Sequence, residues 1–160
     1  MPREERILSR PKLWVKWRRY QIARRLPLRT YPVSSQIIKM PHPFIFDINE
    51  TDFSEKVLEA SHQQPVLVDF WADWCPPCRF LTPVLEKVTQ GYRGEVLLAK
   101  VEVDENMRLA GRYQLRGFPT VILFIRGEEA GRFSGARSEQ QVRTFISELT
   151  PALASREAGS

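Results

Sequence analysis

The chain has 160 residues, 42% hydrophobic and 27% charged, with a formal net charge of +5. That size suits one domain with an ordinary soluble core, and two cysteines are too few for a disulfide-stapled scaffold. Residues 1–43 hold 11 Lys/Arg against 2 Asp/Glu, while residues 44–160 hold 13 against 17, so the basic balance belongs to the leader and argues against nucleic-acid binding by the rest.

The leader, residues 1–43, contains Lys12-Leu-Trp-Val-Lys-Trp17-Arg-Arg-Tyr20-Gln-Ile-Ala-Arg-Arg25. It has no apolar run long enough for a signal-peptide core or a membrane span. Leu13, Trp17 and Tyr20 share one helical face, which Arg24 interrupts. A basic, aromatic helix of this kind could lie on an anionic membrane or on RNA. It also has features of an organelle presequence, against which Glu4 and Glu5 count. The simpler expectation is that the leader is disordered, or lies upstream of a functional start at Met40.

From Phe44 the pattern becomes regular. Phe44–Ile48 alternates weakly and predicts a peripheral strand. Thr51 or Asp52 can cap a helix bearing Phe53, Val57, Leu58 and Ala60, with Glu55 spaced for a capping box from Asp52. Val66–Phe70 is a buried strand, followed by a helix to about Gln90 with Leu81, Val84, Leu85 and Val88 on its inner face and Pro83 as a kink. Val96–Val103 is a second central strand, 104–113 a short helix and 114–118 a loop. Thr120–Ile125, a turn at 126–128 and a strand near Ala130–Phe133 form a hairpin. Ser138, with Gln141 three positions on, opens a last helix carrying Val142, Phe145, Ile146 and Leu149. Residues 151–160 read as a flexible tail. Alternating strands and helices closed by a hairpin predict an α/β fold, three layers with a mixed central sheet.

The chemistry lies in Trp71-Ala-Asp-Trp74-Cys75-Pro76-Pro77-Cys78, between the buried strand and its helix. A zinc site needs two more soft ligands, and the chain offers only His42 and His62, unpaired and upstream. An inert structural disulfide would close too small a loop to stabilise much. A reversible dithiol is the remaining reading, since Cys-x-x-Cys beside a strand-then-helix pattern is a redox signature. The free N–H groups and dipole of a helix start favour a thiolate, the nucleophile of disulfide exchange. Cys75 is therefore the expected attacking sulfur, and Cys78, one turn in, the more buried resolving sulfur. Pro76 and Pro77 suit a first helical turn and stiffen the loop. Asp69, an acid inside an apolar strand, should have a raised pKa.

These residues resemble the active-site stretch of the thioredoxin family, with Pro76 where typical members carry Gly. The resemblance extends over residues 44–150, through Val68-Asp69-Phe70, Arg116-Gly-Phe-Pro119-Thr120 and Phe133-Ser-Gly135-Ala136. It implies a thioredoxin fold and a protein-disulfide reductase. In that scheme Asp69 takes the proton from Cys78, and Lys100 lies near the Asp69 carboxylate and modulates it. A cis Phe118–Pro119 bond faces the sulfurs, and Trp74, Phe118 and Gly135 rim the substrate groove, with Trp71 packed beneath the helix start. It further implies no metal and no bound cofactor, electrons from an NADPH-dependent thioredoxin reductase, disulfide-containing proteins as substrates, and a cytoplasmic monomer. Pro76 could retune the site toward a thiol oxidase or isomerase, as about 30 mV corresponds to roughly 1.4 kcal/mol for a two-electron couple. A chaperone-type holdase or binding module is the reading of another class; holding would survive Cys→Ser changes, and reduction would not.

Overall fold

A computed structural model describes residues 42–153. Strand β1 (Ile45–Asp47) enters from a turn at its start. A π-helical stretch (Ser54–Glu59) running into a 3-10 turn (Ala60–His62) leads to β2 (Val66–Trp71). Helix α1 (Pro76–Gly91), β3 (Leu97–Glu102), the short α2 (Met107–Arg112), β4 (Thr120–Ile125), β5 (Glu128–Ser134) and α3 (Glu139–Leu149) follow.

The five strands form one sheet in the order β1-β3-β2-β4-β5. β3 pairs in parallel with both β1 and β2, whereas β4 is antiparallel to β2 and to β5. Apart from Asp69 in β2 and Thr120 in β4, both strands are apolar because both faces of the sheet are covered, leaving neither strand a wet side. On one face, Val66, Val68, Phe70, Ala99 and Ile122 pack with Phe53, Val57 and Leu109. On the other, Leu67, Leu98, Val121 and Leu123 meet Leu81, Leu85 and Val88 of α1 and Val142 and Ile146 of α3. This is the three-layer α/β arrangement with a mixed sheet that the sequence predicts. The strand period of two also places Asp69 on the side of Leu67, beneath α1.

Several local expectations are corrected. The Asp52–Glu55 capping box does not form. Asn49 Oδ1 instead accepts from the backbone N–H groups of Thr51 and Asp52 and from the Thr51 hydroxyl, and the Asp52 carboxylate pairs with Lys56. The Asx turn holds the N–H groups of Thr51 and Asp52 just ahead of the helical segment, whose own start has no side-chain cap. The segment behind it is π-helical and 3-10 rather than α. The helix expected over 104–113 begins only at Met107, after Asn106, whose side chain accepts from Glu50 N and donates to the Glu102 carbonyl. β5 starts at Glu128 because Arg126 and Gly127, both at positive φ, make a two-residue hairpin turn that brings the strands into register at once. The capping box of Ser138 and Gln141 is present. The chain stays helical over 151–153 rather than fraying at Pro151, with Leu153 packed on the α1–α3 side of the core. The expectations for residues 1–41 and 154–160 lie outside the described residues.

Candidate active site

Cys75 and Cys78 are joined by a disulfide across the first turn of α1. Cys75 is the N-cap: its backbone is extended, and its sulfur accepts from the N–H of Cys78 at 3.3 Å. Pro76 and Pro77 occupy the first two helical positions, where a missing N–H costs nothing, and both are solvent-exposed. Here the structure departs from expectation: Cys75 is 2% exposed and Cys78 is 1% exposed, so the two sulfurs are buried alike in the oxidised pair. Phe118, in the loop before β4, packs against the core cluster that contains them both.

Asp69 is fully buried under α1. Its Oδ2 accepts from the Thr82 hydroxyl at 2.9 Å, and its Oδ1 has no hydrogen-bond partner among the described residues. Burial pushes its pKa up to about 7; the Thr82 hydrogen bond and the Lys100 charge oppose that rise, and Glu86 adds to it. Lys100 lies opposite Asp69 in the register of β2 and β3, yet its ammonium group turns to Glu86 at 3.2 Å and Asp47 at 3.5 Å. The closeness of Lys100 to the carboxylate is thus electrostatic and not a direct bond.

The Phe118–Pro119 peptide is cis, and Pro119 is buried. Pro119 O accepts from the N–H of Gly135, which ends the hairpin at positive φ. A side chain at 135 would meet open space within 4 Å, so that position borders an unobstructed surface. Trp74 is 60% exposed, stands edge-on to Phe118 with ring centroids 5.9 Å apart, and donates from Nε1 to Asp104 Oδ2 at 2.8 Å. Trp71 is half-buried and packs on the core cluster that includes both cysteines.

Trp74, next to Cys75, thus meets Phe118, and Pro119 is tied to Gly135 by a backbone hydrogen bond. His42 packs on Phe44 and His62 ends the 3-10 turn, so neither joins the cysteines. Among the described residues no group of three or more His, Cys, Asp or Glu is placed to hold a metal ion. Sequence reasoning missed Thr82 and Asp104. Thr82 is one helical turn beyond Cys78, and that spacing is the signal that could have placed it on the Asp69 side. Asp104 had none, because its bond to Trp74 spans 30 residues.

A disulfide of this span on a strand-to-helix junction, over a buried acid, defines a thiol–disulfide oxidoreductase. The family model described as Thioredoxin matches residues 44–148. A probable thioredoxin-2 from Caenorhabditis elegans is 44% identical over 109 residues, covering 68% of this chain and 74% of the relative. A thioredoxin from Pseudomonas aeruginosa is 38% identical over 102 residues, 64% of this chain and 93% of its own length. One from Rickettsia felis is 35% identical over 100 residues, 62% of this chain and 93% of its own. The chain belongs to the thioredoxin family, and it is a thioredoxin-like protein-disulfide oxidoreductase.

Proposed function

We propose that this protein reduces disulfides in other proteins, with Cys75 as the attacking sulfur and Cys78 as the resolving one. The observation that carries this is the placement of Cys75 as N-cap of α1, where its sulfur already accepts an N–H. A thiolate there is stabilised by that bond and by the helix dipole. The Cys75 thiolate attacks a substrate disulfide, forms a mixed disulfide and releases the first substrate thiolate. The Cys78 thiol then passes its proton to Asp69, its sulfur bonds to Cys75, and the second substrate thiolate leaves. The two electrons are held by the reduced dithiol and leave on the substrate thiolates as the Cys75–Cys78 bond forms, so the exchange needs no bound cofactor.

Trp74, Phe118, Pro119 and Gly135 form the substrate groove in this reading, where an extended segment can pair with backbone beside Phe118 as an added strand. Lys100 acts on Asp69 through its charge, and Pro76 and Pro77 set the stiffness of the loop. Electrons come from an NADPH-dependent thioredoxin reductase, and the protein acts as a monomer in the cytoplasm. Residues 44–150 are the working domain, and the basic leader 1–43 is dispensable for exchange.

The test is the equilibrium potential of the Cys75–Cys78 pair in a dithiothreitol or glutathione buffer, together with insulin reduction coupled to a thioredoxin reductase. A reducing potential near that of thioredoxin, about −270 mV, with coupled turnover supports the reading. A value nearer the isomerase range, about −180 mV, without coupled turnover would replace it with a thiol oxidase or isomerase retuned by Pro76.

A further inference from the structure

Thr82 has one hydroxyl hydrogen and two acceptors within reach: Asp69 Oδ2 at 2.9 Å and the Cys78 carbonyl oxygen at 3.1 Å. A hydroxyl donates once, so these contacts cannot both be donations at the same moment. When Asp69 is ionised, the hydrogen belongs on the carboxylate, because a charged acceptor outcompetes a neutral carbonyl. When Asp69 is protonated, its O–H needs an acceptor in a buried site. Thr82 Oγ1 can take that bond only by turning its own hydrogen toward Cys78.

We propose that Thr82 is a positioning residue for disulfide exchange, whose hydroxyl hydrogen moves between Asp69 and the Cys78 carbonyl as Asp69 loses or gains its proton. The proposal rests on the reading of Asp69 as the proton acceptor. In the resolving step the Cys78 thiol gives its proton to the Asp69 carboxylate. The Cys78–Cys75 bond forms, the Cys75–substrate bond breaks, and the electron pair leaves on the substrate thiolate. Thr82 keeps Asp69 Oδ2 hydrogen-bonded before and after, so proton uptake strands no further buried polar atom.

The other charged groups facing Asp69 do not replace this bond. Lys100 of β3 favours the carboxylate and Glu86 of α1 disfavours it. Those two are hydrogen-bonded to each other, and Lys100 also pairs with Asp47 of β1. From β4, the register partner is the apolar Val121. With Oδ1 unpartnered among the described residues, Thr82 is the hydrogen-bond donor that the carboxylate has. A hydrogen bond to a charged group outweighs one to a neutral group, so losing the hydroxyl should raise the pKa of Asp69 further.

Thr82→Val removes the hydroxyl and keeps the branched shape, Thr82→Ala is a second hydroxyl-free variant should Val pack poorly, and Thr82→Ser restores the group. In the full-length oxidised protein, the Asp69 carboxyl carbon followed by NMR should titrate about one pH unit or more higher in the hydroxyl-free variants and near the native midpoint in Thr82→Ser. Resolution of a glutathione mixed disulfide on Cys75 should fall about fivefold or more near pH 7 in Thr82→Val and recover at higher pH, following the displaced midpoint. An unmoved Asp69 midpoint in both hydroxyl-free variants overturns the proposal while leaving the role of Asp69 intact. Asp69→Asn with native resolution rates and pH profile removes both, since proton transfer to Asp69 would then not limit the step.

Discussion

The buried Asp69 carboxyl ties this protein to pH thermodynamically and, in the proposed exchange, kinetically as well. Its pKa rises from 3.8 to about 7 on burial. Between those values the folded protein holds a proton that the unfolded chain has lost, so stability falls as pH rises through the window and levels off above it. Below about pH 4 both states are protonated and the penalty vanishes. Asp69→Asn should therefore be more stable than the native protein at pH 8, by up to about 4 kcal/mol, and show no such gain at pH 3. Urea unfolding at the two pH values reads this directly, and an equal gain at both would contradict it. The same variant should resolve mixed disulfides more slowly, and unchanged turnover across pH 6–9 would remove the proton-acceptor role. For the sulfurs, Cys78→Ser should leave a stable adduct between Cys75 and a substrate thiol, visible by intact mass, whereas Cys75→Ser should trap nothing. The reverse pattern would exchange their roles.

At the scale of elements, what the sequence shows depends on how far apart the interacting groups are. The Ser138–Gln141 box and the hairpin turn are short-range; the box appears as expected, and the turn forms where expected but is one residue shorter, Arg126-Gly127. Ser138→Ala should cost about 1 kcal/mol, read as a lower urea midpoint with an unchanged slope. A changed slope would mean that more than the cap had been lost. β2 and β4 were equally legible, because strands covered on both faces become continuous apolar runs. The start of the first helical segment was not. Asn49 and Asp52 both suit a cap, and only the packed chain shows Asn49 taking the donors. Thr82 was hidden for another reason: periodicity gives the face of a helix but not the residue across the layer. Its partner Asp69 lies 13 positions away on a different element. The equal burial of the two cysteines belongs to this class as well, since both sit in a core cluster drawn from several elements.

For the whole molecule, the family match over residues 44–148 leaves the basic segment outside the part that resembles thioredoxins. A chain beginning at Met40 should retain the insulin-reduction rate of the full chain to within about twofold, because every residue assigned to the exchange lies beyond it. A large loss would make the leader part of the machinery. If the leader docks on acidic membranes, only the full chain should pellet with anionic vesicles, and salt should release it. Among the described residues the sheet also has two edge strands. One is β1, only three residues long. The other is β5, whose exposed positions include Glu128 and Glu129. A very short border and a charged one are both poor templates for an uninvited strand. If extended partners dock beside Phe118 as proposed, these two edges offer them little purchase for fibrillar growth.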